Sequence, residues 1–90
     1  MKVLEVRIEQ RHIDKSEPYS SCYCAIAQAL KEQHPGDYVW FVKLYRSTSS
    51  SFAYQHPGKS YKLPAEAYNF QLDMISKKIV YPFSFVMEDQ

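Results

Sequence analysis

Tyr38-Val39-Trp40-Phe41-Val42-Lys43-Leu44-Tyr45-Arg46 is the stretch that decides the fold. Aromatic and β-branched residues crowd it, and such side chains suit a pleated, partly buried surface better than a helix. It is the strongest strand in the chain. Val39 and Phe41 fall on one face and Trp40 and Val42 on the other, so both faces are apolar where it begins. That pattern predicts a central strand covered on at least part of both sides.

Downstream, Ser47-Thr48-Ser49-Ser50-Ser51 is a small polar run, long enough for a hairpin loop and too short for a linker. Phe52-Ala53-Tyr54 and Ser60-Tyr61-Lys62 read as short strands around a His56-Pro57-Gly58 turn. Pro64 stands at the first position of a helix, and Glu66 in its first turn meets the positive end of the helix dipole. Ala67, Phe70 and Met74, with Leu72 and Ile75 alongside, form its apolar stripe, and Lys77 and Lys78 fall in its last turn. Tyr81-Pro82 ends the helical pattern, and Phe83-Ser84-Phe85-Val86-Met87 is a closing strand.

Upstream, residues 2–9 alternate, with Leu4, Val6 and Ile8 on one side and Val3, Glu5, Arg7 and Glu9 on the other. This is a half-buried strand. Residues 12–18 are polar, end in a proline and read as a connection. Ser20 and Ser21 are N-cap candidates for a helix whose face is Tyr23, Ile26, Ala27 and Leu30, and His34-Pro35-Gly36-Asp37 stops it. The order is β-α-β-β-(β)-α-β. It predicts one α+β domain over residues 1–90: four or five strands, mixed or mainly antiparallel, with two helices on one face. A right-handed crossover would set the first two main strands parallel if they share the sheet.

The composition narrows function by exclusion. With 90 residues, 46% of them hydrophobic, the chain is too short to divide and too apolar for a disordered tail. No apolar run approaches the ~20 residues that span a bilayer. Eleven basic against ten acidic residues give +1, which suits neither a nucleic-acid condenser nor an acidic mimic. Met1-Lys2 leads straight into the first strand without the apolar stretch of a secretory leader. Cys22 and Cys24 lie too close for an unstrained disulfide. They read as reduced residues of a helix in a cytoplasmic protein.

Chemistry-bearing patterns are sparse. The histidines His12, His34 and His56 are scattered, and zinc wants four ligands in wider pairs, so no metal is expected. With Gly36 and Gly58 as its only glycines, the chain has no phosphate-cradling loop, and no cofactor is expected. A helix N-terminus would lower the thiol pKa of Cys22 or Cys24, and His12 or His56 is the base one would have to meet across the fold. A small buried side chain packing the helix on the sheet is the commoner role for such a cysteine, and no enzyme is expected.

Charge is informative in its distribution. Residues 1–37 carry five bases and six acids, and residues 66–90 two bases and four acids. Residues 38–65 carry Lys43, Arg46, Lys59 and Lys62 with no acid at all, among seven aromatics. Three uses suit that composition. The rings can fill the core, serve a protein interface rich in aromatic and cationic anchors, or stack single-stranded nucleic acid or RNA. For the last two, the candidate binding residues are Trp40, Lys43, Tyr45, Arg46, Tyr54, Lys59, Tyr61 and Lys62. A protein partner ranks ahead of nucleic acid, because four cations give only modest, salt-sensitive affinity for phosphates. If the closing strand lies on a sheet edge, a homodimer through it follows.

Several segments carry a resemblance. His12-Ile13 after the first strand, Cys24-Ala25-Ile26-Ala27-Gln28-Ala29-Leu30, Tyr61-Lys62-Leu63-Pro64-Ala65-Glu66-Ala67 with Phe70, and Val80-Tyr81-Pro82-Phe83-Ser84-Phe85 occur in that order. Together they span most of the chain and resemble a family of small uncharacterised phage and prophage proteins. The chain departs from the family pattern at Ala25, where a proline usually follows the cysteine, and at Met74-Ile75, where Phe-Asp is usual. The shared motifs are structural, so the resemblance implies a phage origin and a common fold and carries no catalytic residue. Taken with the small size, the missing catalytic pattern and the aromatic–basic middle third, it leads us to expect a non-enzymatic accessory protein in the host cytoplasm that binds a host protein, to redirect a host process or blunt a defence.

Overall fold

The computed structural model describes residues 3–17, 19–35, 40–55 and 58–89. Five strands make one sheet: β1 (Val3–Ile8), β2 (Trp40–Tyr45), β3 (Ser50–Gln55), β4 (Lys59–Lys62) and β5 (Phe83–Asp89). Among the described residues three helices accompany them, α1 (Gln10–Asp14), α2 (Ala25–Gln33) and α3 (Ala65–Ile75), with a 3-10 turn at Arg46–Thr48. The fold is α+β. The spatial order is β1-β5-β4-β3-β2 and every neighbouring pair is antiparallel. It follows that β1 and β2 run in the same direction, as a β-α-β start requires, with three strands between them.

Alternation sorts the side chains. Val6, Ile8, Trp40, Val42, Ala53, Tyr61, Phe85 and Met87 turn to one face and join a single core with Ala25, Ile26, Ala27, Ala29 and Leu30 of α2 and Ala67 and Phe70 of α3. The alanines let α2 lie close on the sheet. Among the described residues the opposite face carries no helix, and it stays at least partly exposed, with Glu5, Arg7, Lys43, Tyr45, Lys62 and Val86 among its residues.

Several expectations change. β2 is an edge strand and not a central one, because β3 returns along only one side of it. Its second apolar face is a surface of rings, not a second buried layer. β5 is interior, held by β1 along residues 83–88 and by β4 at Tyr61↔Asp89 and Lys62↔Glu88. The homodimer through an exposed closing strand therefore falls away: Phe85 and Met87 fill the core. The first connection contains α1, a five-residue helix too short to show a hydrophobic period.

Helix α2 begins at Ala25 with Cys24 as its N-cap. The Ser20 hydroxyl accepts instead from the N–H groups of Cys22 and Tyr23, closing the turn ahead of the helix, which leaves Tyr23 exposed. Pro64 caps α3 and is not its first helical residue. α3 stops at Ile75, so Lys77 and Lys78 lie past its end. Gly58 opens β4 with φ +77°, a backbone geometry that favours glycine. His56 and Pro57 of the expected turn, and Gly36-Asp37 after α2, lie outside the described residues.

Candidate interaction surface

Strand parity splits the aromatic–basic segment in two. Trp40 is 2% exposed and Tyr61 3% exposed. Their rings pack at 5.7 Å, and the Trp40 indole N–H donates to the carbonyl of His34 at 2.8 Å. Both are core residues, and neither can serve as a binding residue. Tyr45 and Tyr54 turn outward with Lys43 and Lys62, while Arg46 is exposed in the turn that follows Tyr45. Lys59, on the parity of Tyr61, is exposed at the start of β4 and borders with Phe41, Tyr54 and Gly58 a shallow recess of about 280 Å³.

Two further rings belong to this surface, Phe41 and Phe52. Phe41 stacks on Tyr54 across the β2–β3 ladder, centroids 5.2 Å apart and planes 18° apart. Phe52 leans on Tyr54 at 6.2 Å and meets Tyr45 edge to face at 5.8 Å. Lys43 Nζ lies 5.9 Å from the Phe41 centroid. Lys62 stands opposite Phe52 in the register, and Glu88 opposite Lys62. The open face is thus aromatic and cationic over β2, β3 and β4, and turns mixed in charge from β5 to β1. The signal for Phe41 was present in the sequence. Lys43 does not bury unpaired, so its strand-mates two residues either way, Phe41 and Tyr45, must share its solvent side.

The hydroxyls of Tyr45 and Tyr54 share a hydrogen bond at 3.3 Å. That bond, and then burial, raise the Tyr54 phenol above its ordinary pKa, so it remains a neutral donor and acceptor.

A second cluster lies at the other end of the molecule. Glu9, His12 and Glu32 bring ligand-type atoms within 4.8 Å of one another. The backbone N–H of Glu9 donates to His12 Nδ1 at 2.9 Å, which places the ring proton on Nε2, 3.2 Å from Glu32 Oε2. A metal on Nε2 would force that proton onto Nδ1, against an N–H already pointing there. Arg11 further pairs with Glu9 at 2.9 Å and with Glu32. The arrangement is that of a hydrogen-bonded clasp joining α1 to α2, and it does not fit a metal.

Neither ring nitrogen of His12 is engaged with a thiol. Cys22 and Cys24 are free. Burial raises the Cys24 thiol pKa, outweighing the backbone N–H groups of Ala27 and Ile26, which lower it. The lowered thiol pKa expected at this helix start is therefore overturned for Cys24: the group sits too deep for the dipole to prevail. His56, the other base considered, lies outside the described residues.

No helix among the described residues is long and apolar enough to cross a membrane. No protein-family model, curated protein or solved structure matches the chain.

Proposed function

We propose that this chain is a recognition module, free of bond-making chemistry, that docks a partner protein on the open face of its sheet. The observation that carries this reading is the contiguous cluster of Phe41, Tyr45, Phe52 and Tyr54 on a face that no helix among the described residues covers, bordered by Lys43, Arg46 and Lys62. Rings fixed in mutual contact lose little freedom on binding, and aromatic anchors beside cations are the usual centre of a protein interface. With the phage resemblance, the partner is a host protein and the site of action the host cytoplasm.

The same residues support nucleic acid less well. A stacked base needs an open ring face. Here Phe41 has Tyr54 on one side and Lys43 nearby, and Phe52 is flanked by Tyr45 and Tyr54. What favours nucleic acid as a second reading is a run of cations, Lys43 to Lys62, with no acid among them.

The test compares the unmodified chain with a Phe52→Ser, Lys62→Glu double variant of unchanged circular dichroism. Affinity capture from bacterial lysate should return a specific protein with the first and lose it with the second. Equal capture by both, or none with folded protein, overturns the reading. Fluorescence anisotropy with single-stranded DNA and RNA at low and moderate salt should show no binding that depends on Phe52; binding that does depend on it moves the assignment to nucleic acid.

A further inference from the structure

The two outer edges of the sheet are finished differently. On β1, the side chain of Gln33 accepts from the Arg7 N–H and donates to the Arg7 carbonyl, while His34 Nε2 meets the Glu5 carbonyl at 2.7 Å. That edge is sealed by the end of α2.

On β2, the N–H of Val42 donates to the Ser21 carbonyl at 2.8 Å, away from β3. Antiparallel alternation then turns the backbone groups of Leu44 outward as well. Ser51, which faces Leu44 across the ladder, agrees: its carbonyl accepts from Leu63 N–H at 3.0 Å on the far side of β3. Among the described residues no hydrogen bond reaches the N–H or the carbonyl of Leu44. Beside it runs an open groove of about 300 Å³ between β2, the turn from Tyr19 to Cys24 and the end of α3. Leu44, Ile75 and Tyr19 form its apolar wall, and Tyr19, 78% exposed, is tied to the Ile75 carbonyl by its hydroxyl at 3.2 Å.

We propose that the β2 edge around Leu44, beyond the bond from Val42 to Ser21, takes an extended, acidic–apolar segment of a partner protein as an added strand. This rests on the protein-docking reading and names the form the partner takes. Leu44 donates to and accepts from the added backbone, which satisfies two polar groups that a neighbouring strand would otherwise hold. Alternate side chains of the incoming segment drop into the groove against Leu44 and Ile75. The others cross to the open face beside Lys43 and Tyr45. Charge selects the occupant: Lys43 borders the groove, Arg46 follows it, and among the described residues no carboxylate lines it. Two copies paired edge to edge would set Lys43 and Arg46 against themselves, so a second copy of this chain is the poorer fit.

Residue-resolved amide exchange of the unmodified chain tests this directly. In the free protein the Leu44 amide should exchange at least about tenfold faster than those of Lys43 and Tyr45, which bond to β3. A blocked peptide of alternating glutamate and valine, at millimolar concentration, should bind and protect Leu44. The same peptide with lysine for glutamate, or N-methylated at its central amides, should do neither. A Leu44 amide already protected in the free chain, binding that leaves Leu44 unprotected, equal binding of the lysine peptide, or no binding at all each overturns the proposal. Leu44→Pro removes the donor while sparing the bonds to β3. Partner capture that survives Leu44→Pro but is lost in the Phe52→Ser, Lys62→Glu variant refutes the added strand and leaves the open-face reading standing.

Discussion

The side-chain amide of Gln33 lies along Arg7 as a neighbouring strand would, its Oε1 accepting from the Arg7 N–H at 2.8 Å and its Nε2 donating to the Arg7 carbonyl at 2.6 Å. One residue at the end of α2 thereby satisfies both outward backbone groups of Arg7, near the end of the β1 edge. An open edge of this kind is a template for pairing with other chains, and covering it suppresses association. Gln33→Ala should lower unfolding stability by about 1 kcal/mol, the net worth of lost hydrogen bonds at a partly exposed site. It should also speed exchange of the Arg7 amide and raise self-association in sedimentation experiments. An unchanged denaturation midpoint with unchanged Arg7 exchange would contradict this role.

Helix α3 ends in a paired C-terminal motif built on an unfavourable residue. The N–H of Lys78 donates to the Asp73 carbonyl at 2.9 Å and that of Lys77 to the Met74 carbonyl at 3.1 Å, with Lys77 at φ +60°. This left-handed position is normally glycine, since any Cβ there crowds the backbone. Lys77→Gly should stabilise the protein by about 1 kcal/mol in urea denaturation. Lys77→Ala, which keeps the Cβ, should give no comparable gain. The reverse ranking would mean that the helix ends differently.

Trp40 contributes to folding rather than to recognition. Its emission in the native state should be blue-shifted and resistant to iodide, turning red and quenchable on unfolding. Trp40→Ala should cost about 3–5 kcal/mol through the cavity it leaves, a large part of the roughly 5–15 kcal/mol that holds a domain folded. Trp40→Phe keeps most of the packing, loses the bond to His34 and should cost less. Native emission that iodide quenches freely would refute the burial.

Glu32 makes stability depend on acid. The hydrogen bond from Arg11, and then that from His12, hold its carboxyl below the ordinary glutamate range. The folded carboxyl is the stronger acid, so the unfolded chain takes up the proton first as pH falls. The contribution is complete above the ordinary glutamate pKa and disappears as pH drops through that value to the depressed native one. Because the group is half exposed, salt screens the effect. Urea midpoints measured from about pH 6 to pH 3 should fall less steeply for Glu32→Gln than for the unmodified chain. Parallel slopes would show that the clasp with Arg11 does not form in solution.

Local pattern was enough for much of this fold. The alternation of Leu4, Val6 and Ile8 and the spacing of Ile26, Ala27 and Leu30 depend on neighbours a few residues away and appear as read, while the proline ahead of Ala67 and Phe70 marks the helix start from one position earlier than expected, as its cap and not its first residue. The aromatic–basic character of the middle third was equally plain; that Lys43, Tyr45, Arg46, Lys59 and Lys62 lie at the surface is known only from the fold.

What a period of two cannot say is which face meets the helices and which strand ends up outermost. Trp40 and Phe41 are adjacent, similarly apolar and equally suited to a strand, yet one is in the core and the other on the open face. That choice was made by α2 and α3 packing together on one side of the sheet. In the same way, the interior place of β5 and the edge position of β2 come from pairings between residues far apart in the chain, such as Val3 with Glu88. The residue types come from the sequence, but the open Leu44 edge and the sealed Arg7 edge exist only once distant segments have closed on each other, because backbone hydrogen bonding between strands is blind to side-chain identity.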